Sequence, residues 1–330
     1  MQSNCYAAVV LWVAALAAGC GGAASSPVPP PRTAPASVAV TSPATPLAPA
    51  SAGASLAASP GRSPNASGVP DFDHVYVIVM ENKEYSSIVG GKSAPYLNSL
   101  IARYGLATAF YGETHPSEPN YIALTSGGLQ GTHSDGTYNL AVPNLFDQVE
   151  AGGRSWHVYE QDFPGSCFKG SVRSGGVDGA GAAGEYARKH NPAISYTSIS
   201  GDPARCARIT ALAGFDPAAA DLEFIVPNQI NDMHSSSTAS GDAFLAAFVP
   251  SIIGSPAFVN SVLFITWDEG TTGVHGGGHI ATIVVSPGMT PGYRFTATAN
   301  HYSILRTIEL AWGLPLLGEA SSAPTLVFPW

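Results

Sequence analysis

His74-Val-Tyr-Val-Ile-Val-Met80 is a continuous apolar run rich in β-branched residues, and Glu81-Asn82 follows it directly. A strand with one wet face would alternate polar and apolar residues. This run does not, so it predicts a strand buried on both faces of a parallel sheet. Leu222-Glu-Phe-Ile-Val226, Ser261-Val-Leu-Phe-Ile-Thr-Trp267 and Ile280-Ala-Thr-Ile-Val-Val285 read the same way. Helical stripes lie between them. Tyr96, Leu97, Leu100, Ile101 and Tyr104 form one, stopped by Gly105; Leu145, Phe146 and Val149 form another, between Pro143 and Gly152. Phe244, Leu245, Phe248 and Ile252 make a third, and Ile304, Leu305, Ile308 and Trp312 a fourth, closed by Gly313. Alternating strands and helices predict an α/β fold, a mostly parallel central sheet with helices on both faces.

In open α/β sheets, ligand groups gather at the carboxyl ends of strands. Polar clusters stand at those places here: Glu81-Asn82 after the first strand, Asn228 to His234 after the second, and Asp268-Glu269-Gly270 after the third, with His279 opening the next. A fifth motif, Thr114-His-Pro-Ser117-Glu-Pro-Asn120-Tyr, reads as the start of a helix that Gly127-Gly128 can end. Ser117 would then sit where a helix N-terminus attracts a phosphate. The alternative is a serine that merely caps the helix.

Glu81, Asp268 and Glu269 offer carboxylate oxygens and Asn82 an amide oxygen, a donor set suited to a divalent cation such as Ca²⁺, Mg²⁺ or Mn²⁺. Imidazole ligands would favour Zn²⁺ or Fe. Such an ion would activate the Ser117 hydroxyl for attack on phosphorus. Asp232, His234 and His279 form either a second, softer cluster or a set that binds phosphate oxygens and protonates the leaving group.

The chain has 330 residues and a formal net charge of −9, which leaves no basic footprint for nucleic acid. Residues 1–20 read as an export signal, with an apolar stretch from residue 6 to 18. Leu16-Ala-Ala-Gly19-Cys20 resembles a bacterial lipobox, so Cys20 is the candidate for lipidation and for membrane contact through a lipid anchor; plain secretion is the alternative. Residues 21–70, dominated by Ala, Pro and Ser, predict a disordered tether, and residues 71–330 one catalytic domain. Cys167 and Cys206 remain as an even pair in an exported protein, which predicts a disulfide. The Gly-rich segment from 165 to 215 reads as an irregular insertion stapled by that bridge.

Together, Val79-Met-Glu81-Asn82, His115-Pro-Ser117-x-Pro-Asn120-Tyr, Pro227-Asn-x-x-Asn-Asp232-Met-His234, Thr266-Trp-Asp268-Glu269-Gly, Val284-Val-Ser-Pro287 and His301-Tyr-Ser-x-Leu-Arg306-Thr-Ile-Glu309 resemble the bacterial phosphoesterase family. That family includes phospholipase C-type enzymes and secreted acid phosphatases. The resemblance runs from about residue 72 to 316. It implies an alkaline-phosphatase-like fold, Ser117 as nucleophile, a metal site at Glu81, Asn82, Asp268 and Glu269, and His115 and His234 as catalytic histidines. Asn120, Asp232 and His279 would then contact phosphate. The wider superfamily has a histidine where Glu269 stands and a longer spacing than Asp232-x-His234, which favours one metal over two. Arg306 is expected to form a structural ion pair with Glu309, and His301 to approach the site from its helix terminus.

The resemblance implies an exported phosphomonoesterase acting on a phosphate ester, with a phosphoinositide or other phospholipid head group in range. A phospholipase C-type phosphodiesterase is the alternative. A non-catalytic envelope lipoprotein would lack the nucleophile or a metal carboxylate, and this chain keeps both.

Overall fold

The computed structural model describes residues 67–174 and 185–330; the expected export signal, Cys20 and the expected tether up to residue 66 lie outside them. The strands run in the order β1 (His74–Met80), β2 (Gly105–Tyr111), β3 (Trp156–Glu160), β4 (Val172–Ser174), β5 (Glu185–Ala187), β6 (Ile209–Ala211), β7 (Leu222–Val226), β8 (Ser261–Trp267), β9 (His279–Val285), β10 (Tyr293–Phe295) and β11 (Ala299–Asn300). One sheet takes the order β10-β2-β9-β8-β1-β7-β3-β6, with β11 also on β2, and β4 and β5 form a separate hairpin pair.

The centre of the sheet is parallel: β8, β1, β7, β3 and β6 all point one way. Only β9 runs against its neighbours β8 and β2, so β2 points the same way as the parallel core. The carboxyl ends of β1, β2, β3, β7 and β8 therefore share one edge, which the amino end of β9 joins. Val75 to Met80 and all seven residues of β8 are buried. Successive strand side chains point to opposite faces, so burial of every residue means both faces are covered.

Helix Pro95–Arg103 packs on helix Thr238–Ile253, and helix Ser117–Ser126 on helix His301–Trp312. The first pair is locked at a helix N-terminus, where Asp242 accepts from the Tyr96 and Leu97 amides at 3.1 and 2.9 Å. A carboxylate there meets free amides and the positive end of the helix dipole. Each Val, Leu or Ile buried between sheet and helices contributes about 1.5–3 kcal/mol.

The expected strands at 74–80, 222–226 and 261–267 form with those bounds, and β9 starts one residue early. Gly105 does end a helix, but it also opens β2, a strand whose Ala107-Thr108-Ala109 centre lacks the bulk that marks the others. Segment 165–215 is less irregular than expected. It holds β5, β6 and short helices at Pro192–Ser195, Thr197–Ser200 and Pro203–Cys206. The expected disulfide joins Cys167 to Cys206, with Cα atoms 5.5 Å apart. Among the described residues, no helix is long and apolar enough to cross a membrane.

Candidate active site

The end of β1 delivers Glu81, and the end of β8 delivers Asp268 and Glu269. Carboxylate oxygens of the three lie within 4.8 Å of one another, and all three residues are buried. The end of β2 runs through residues 112–116 into the helix that begins with Ser117. Pro116 takes the capping position and Ser117 the first helical one, so its hydroxyl makes no cap. It donates instead to Glu81 Oε1 at 2.5 Å. That geometry sets the capping alternative aside.

Two close backbone approaches make this convergence possible. The 112–116 loop and the 270–278 loop meet at Gly112 and Gly277, where Gly277 N–H donates to Gly112 carbonyl at 3.0 Å. A Cβ on Gly277 would stand 2.6 Å from the Gly112 carbonyl carbon, so no other residue fits. Asn120 braces the same loop, accepting from the Glu113 and Thr114 amides at 2.9 and 3.1 Å and donating to the Thr114 carbonyl at 2.8 Å. Its amide is committed to backbone, so it shapes the 112–116 loop.

His190 is the centre of the site's positive charge. Its Nε2 lies 2.5 Å from Glu81 Oε1 and its Nδ1 3.3 Å from Asp232 Oδ2. These are ion-pair contacts at angles that leave Nε2 and Oδ2 without an aligned hydrogen bond. Burial opposes charge on His190, but the two carboxylates outweigh it and raise its pKa. Burial likewise opposes charge on Glu81, yet His190, Lys189 and the Ser117 hydroxyl hold its pKa below the usual range. Tyr121, on the helix that Ser117 opens, stacks on the His190 ring at 5.3 Å and fixes its plane.

The acidic cluster lacks comparable compensation. Asp268 Oδ2 is buried with no hydrogen-bond partner, while Oδ1 accepts from the Glu269 and Asn82 amides at 2.6 and 3.3 Å. Burial, then Glu81 and Glu269, push the Asp268 pKa far up. Like charges this close resist joint ionisation unless a cation joins them. The oxygen-rich donor set, the unpaired Asp268 oxygen and this crowding fit a divalent metal. Asn82 fits beside them, in the left-handed region at φ 52 and with its amide donating to Glu81 Oε2 at 2.5 Å.

Residues 91–315 match the phosphoesterase family. The chain is 34% identical over 267 residues to the phosphatidylinositol-3-phosphatase of Mycobacterium tuberculosis, covering 80% of this chain and 85% of that one. The chain belongs to the phosphoesterase family. An Aspergillus fumigatus acid phosphatase is 29% identical over 77% of this chain and 58% of its own length. Solved structures with the same fold include an alkaline phosphatase superfamily protein from Vibrio parahaemolyticus (TM-score 0.51, 10% identity, 79% of this chain and 74% of that one). A putative sulfatase from Bacteroides thetaiotaomicron aligns with TM-score 0.52 and 12% identity over 77% of this chain and 74% of that one. The fold is alkaline-phosphatase-like.

The remaining expected residues of this phosphoesterase divide. His115 Nδ1 lies 2.8 Å from Glu269 Oε2 and its Nε2 donates to the Thr272 carbonyl at 2.9 Å, so it borders the acidic cluster. Burial lowers its pKa, but the Thr272 carbonyl and Glu269 together raise it. Asp232 and His234 come together through a tight turn. Asp232 Oδ1 accepts the His234 amide at 2.7 Å, Met233 sits at φ 85, and Lys83 Nζ donates to the Met233 carbonyl at 2.6 Å. A non-glycine residue at that φ is held there by its surroundings, as is common beside functional groups. The His234 ring is 6.0 Å from that of His190.

His279 is not joined to this group. Its ring stacks between Tyr85 at 4.2 Å and Tyr111 at 5.0 Å, and its Nε2 donates to the Thr108 carbonyl at 3.0 Å. The shared edge is several strands wide, and β9 lies beyond β8 from β1. His301 is buried and spent on Glu113 and the Trp267 carbonyl, tying the 112–116 loop to the end of β8. Arg306 does not pair with Glu309 by hydrogen bond; its guanidinium holds Thr325 and the Ala320 and Ser321 carbonyls of the C-terminal segment.

Sequence reasoning missed Lys189, His190 and Glu160. Arg188-Lys-His190 is a dense cationic run in a chain with only 11% charged residues, and that contrast was the available signal. Arg188 is buried against Glu118 at 3.5 Å and donates to the Tyr138 carbonyl at 2.6 Å, which anchors the run beside the helix that Ser117 opens. Glu160, at the end of β3, is buried with Oε1 unpartnered; burial and then Asp232 raise its pKa far up.

Proposed function

We propose that this is an exported, metal-dependent phosphomonoesterase that uses Ser117 as nucleophile, forms a phosphoserine, and acts on phosphoinositide head groups. The single observation that carries the reading is the Ser117 hydroxyl 2.5 Å from Glu81 within a cluster of buried carboxylates. The similarity to a phosphatidylinositol-3-phosphatase supports the substrate class. Export rests on the apolar stretch and small residues before Cys20.

Glu81, Asn82, Asp268 and Glu269 would hold one divalent cation, whose charge would favour the ionised serine and offset the phosphoryl oxygens. Ser117 Oγ attacks phosphorus in line with the leaving alcohol, its proton already directed at Glu81 Oε1. His190, kept protonated by Glu81 and Asp232, is held between those two carboxylates and offsets the negative charge of the phosphoryl group through space. His234 is partly exposed, and burial lowers its pKa, which suits a group that gives up a proton to the departing alcohol. The same ring then takes a proton from the water that hydrolyses the phosphoserine. Glu269 and the Thr272 carbonyl hold His115 in its plane beside the cluster.

The test is hydrolysis of p-nitrophenyl phosphate and of phosphatidylinositol 3-phosphate by wild type and Ser117→Ala. Loss of both activities by on the order of 10³-fold or more is expected for removal of a nucleophile. Equal turnover by both proteins would overturn the assignment.

A further inference from the structure

Lys189 Nζ lies 3.4 Å from Ser117 Oγ and 3.9 Å from Glu81 Oε1. It donates to Asp135 Oδ2 at 3.1 Å, and Asp135 Oδ1 accepts the Glu118 amide at 3.1 Å. Asp135 therefore ties this ammonium to the first turn of the nucleophile helix. The side chain is one-fifth exposed (20%), so its charge is less screened than a surface lysine's. Other nearby cations are committed elsewhere: Arg188 to Glu118 and the Tyr138 carbonyl, Lys83 to the Met233 carbonyl. Lys189 is thus a cation that reaches the nucleophile oxygen while its partner, Asp135, remains partly solvated.

We infer that Lys189 is a specificity-determining residue that selects phosphomonoesters over phosphodiesters by binding the oxygen that carries the second alkyl group in a diester. This rests on the serine-phosphatase reading above. A bound monoester presents three non-bridging oxygens and up to two charges; a diester presents two oxygens and one charge. With Nζ 3.4 Å from Ser117 Oγ, phosphorus bonded to that oxygen would have one of its own oxygens within reach of Lys189. For a monoester the contact is a charge-assisted hydrogen bond. For a diester an ester group displaces it and leaves a half-buried ammonium facing carbon. Asp135 is a positioning residue: it sets where the ammonium stands and touches no reacting atom.

The experiment compares kcat/KM for p-nitrophenyl phosphate and bis-p-nitrophenyl phosphate in wild type, Lys189→Met and Lys189→Arg, with Ser117→Ala as a separate arm. Lys189→Met should lose about 10²–10³-fold on the monoester, the scale of a lost charge-stabilising donor, and less than about tenfold on the diester. Lys189→Arg, which keeps the charge, should restore most of the ratio between the two. An equal fall on both substrates, or no change on the monoester, overturns the selective role while Ser117→Ala still reports on the nucleophile. Monoester turnover surviving in Ser117→Ala would instead sink the reading beneath it. If Lys189→Met does not accumulate folded, Lys189→Gln, one bond shorter, keeps a neutral donor; the monoester-to-diester ratio must then fall at least about tenfold, and an unchanged ratio overturns the inference.

Discussion

Ser117 and Glu81 stand 36 positions apart in the chain, on a helix and at a strand end, yet their side-chain oxygens are in direct hydrogen-bond contact. The contact exists because β1 and β2 end at the same edge and the glycine pair at 112 and 277 lets the nucleophile loop fold back over it. Glu81 also meets His190, so one carboxylate joins nucleophile, acidic cluster and buried cation.

Replacing Glu81 should therefore cost more than replacing any other acid of the site. Glu81→Gln keeps the shape, removes the charge and leaves His190 buried beside a neutral amide. We predict a kcat/KM loss on the order of 10³-fold or more against p-nitrophenyl phosphate, with the His190 pKa falling in a histidine-resolved NMR titration. Activity within about tenfold of wild type would show that Glu81 has only a structural part.

His190→Asn should separate charge from packing. The amide can still meet Asp232, but the cation is gone, and a charge-stabilising role predicts a loss of about 10²–10³-fold in kcat. His279→Asn, by contrast, breaks only a stack between two tyrosines and a bond to the Thr108 carbonyl, so kcat should stay within about threefold while Tm falls.

Stability should decline as the medium turns from acid to neutral. Burial raises both Glu223 and Glu309 to about 8, well above 4.5, and one oxygen of each is unpartnered. Between those limits the folded chain holds protons the unfolded chain has released. The contribution is thus complete below about pH 4.5 and is lost as pH rises to about 8, by on the order of 1 kcal/mol per pH unit per group at most. Chemical denaturation from pH 5 to 8 checks this: Glu309→Gln and Glu223→Gln should each flatten the slope. A slope unchanged in both variants would place the pH dependence elsewhere.

Chelation should abolish turnover and a divalent cation restore it. Stripped of an ion, Asp268 and Glu269, whose pKa values burial and then Glu81 raise, take up protons, so removal should also shift Tm, with the larger shift at higher pH. Activity and Tm both indifferent to exhaustive chelation would make the acidic cluster structural.

Much of this was legible in the chain because the decisive strands are continuous apolar runs. β1, β7 and β8 matched their expected bounds, and the rule that ligand groups sit at carboxyl ends then picked out Glu81, Asp268 and Glu269. β3 escaped notice because His157 interrupts its short apolar pattern, and with it went Glu160. Lys189 and His190 come from a 3-10 turn with no periodicity, so only tertiary contacts with Glu81, Asp232 and Asp135 give them meaning. His279 shows a different limit: a place on the shared sheet edge does not by itself bring a side chain to the acidic cluster, and this ring stacks on Tyr85 and Tyr111.

Acid quenching of the enzyme during turnover of p-nitrophenyl phosphate, followed by peptide mass spectrometry, tests the central claim most directly. The account predicts phosphate on the peptide containing Ser117, located at that hydroxyl and absent from Ser117→Ala. Phosphate trapped on His190 or His234 instead, or rapid turnover with Ser117 never modified, would contradict it.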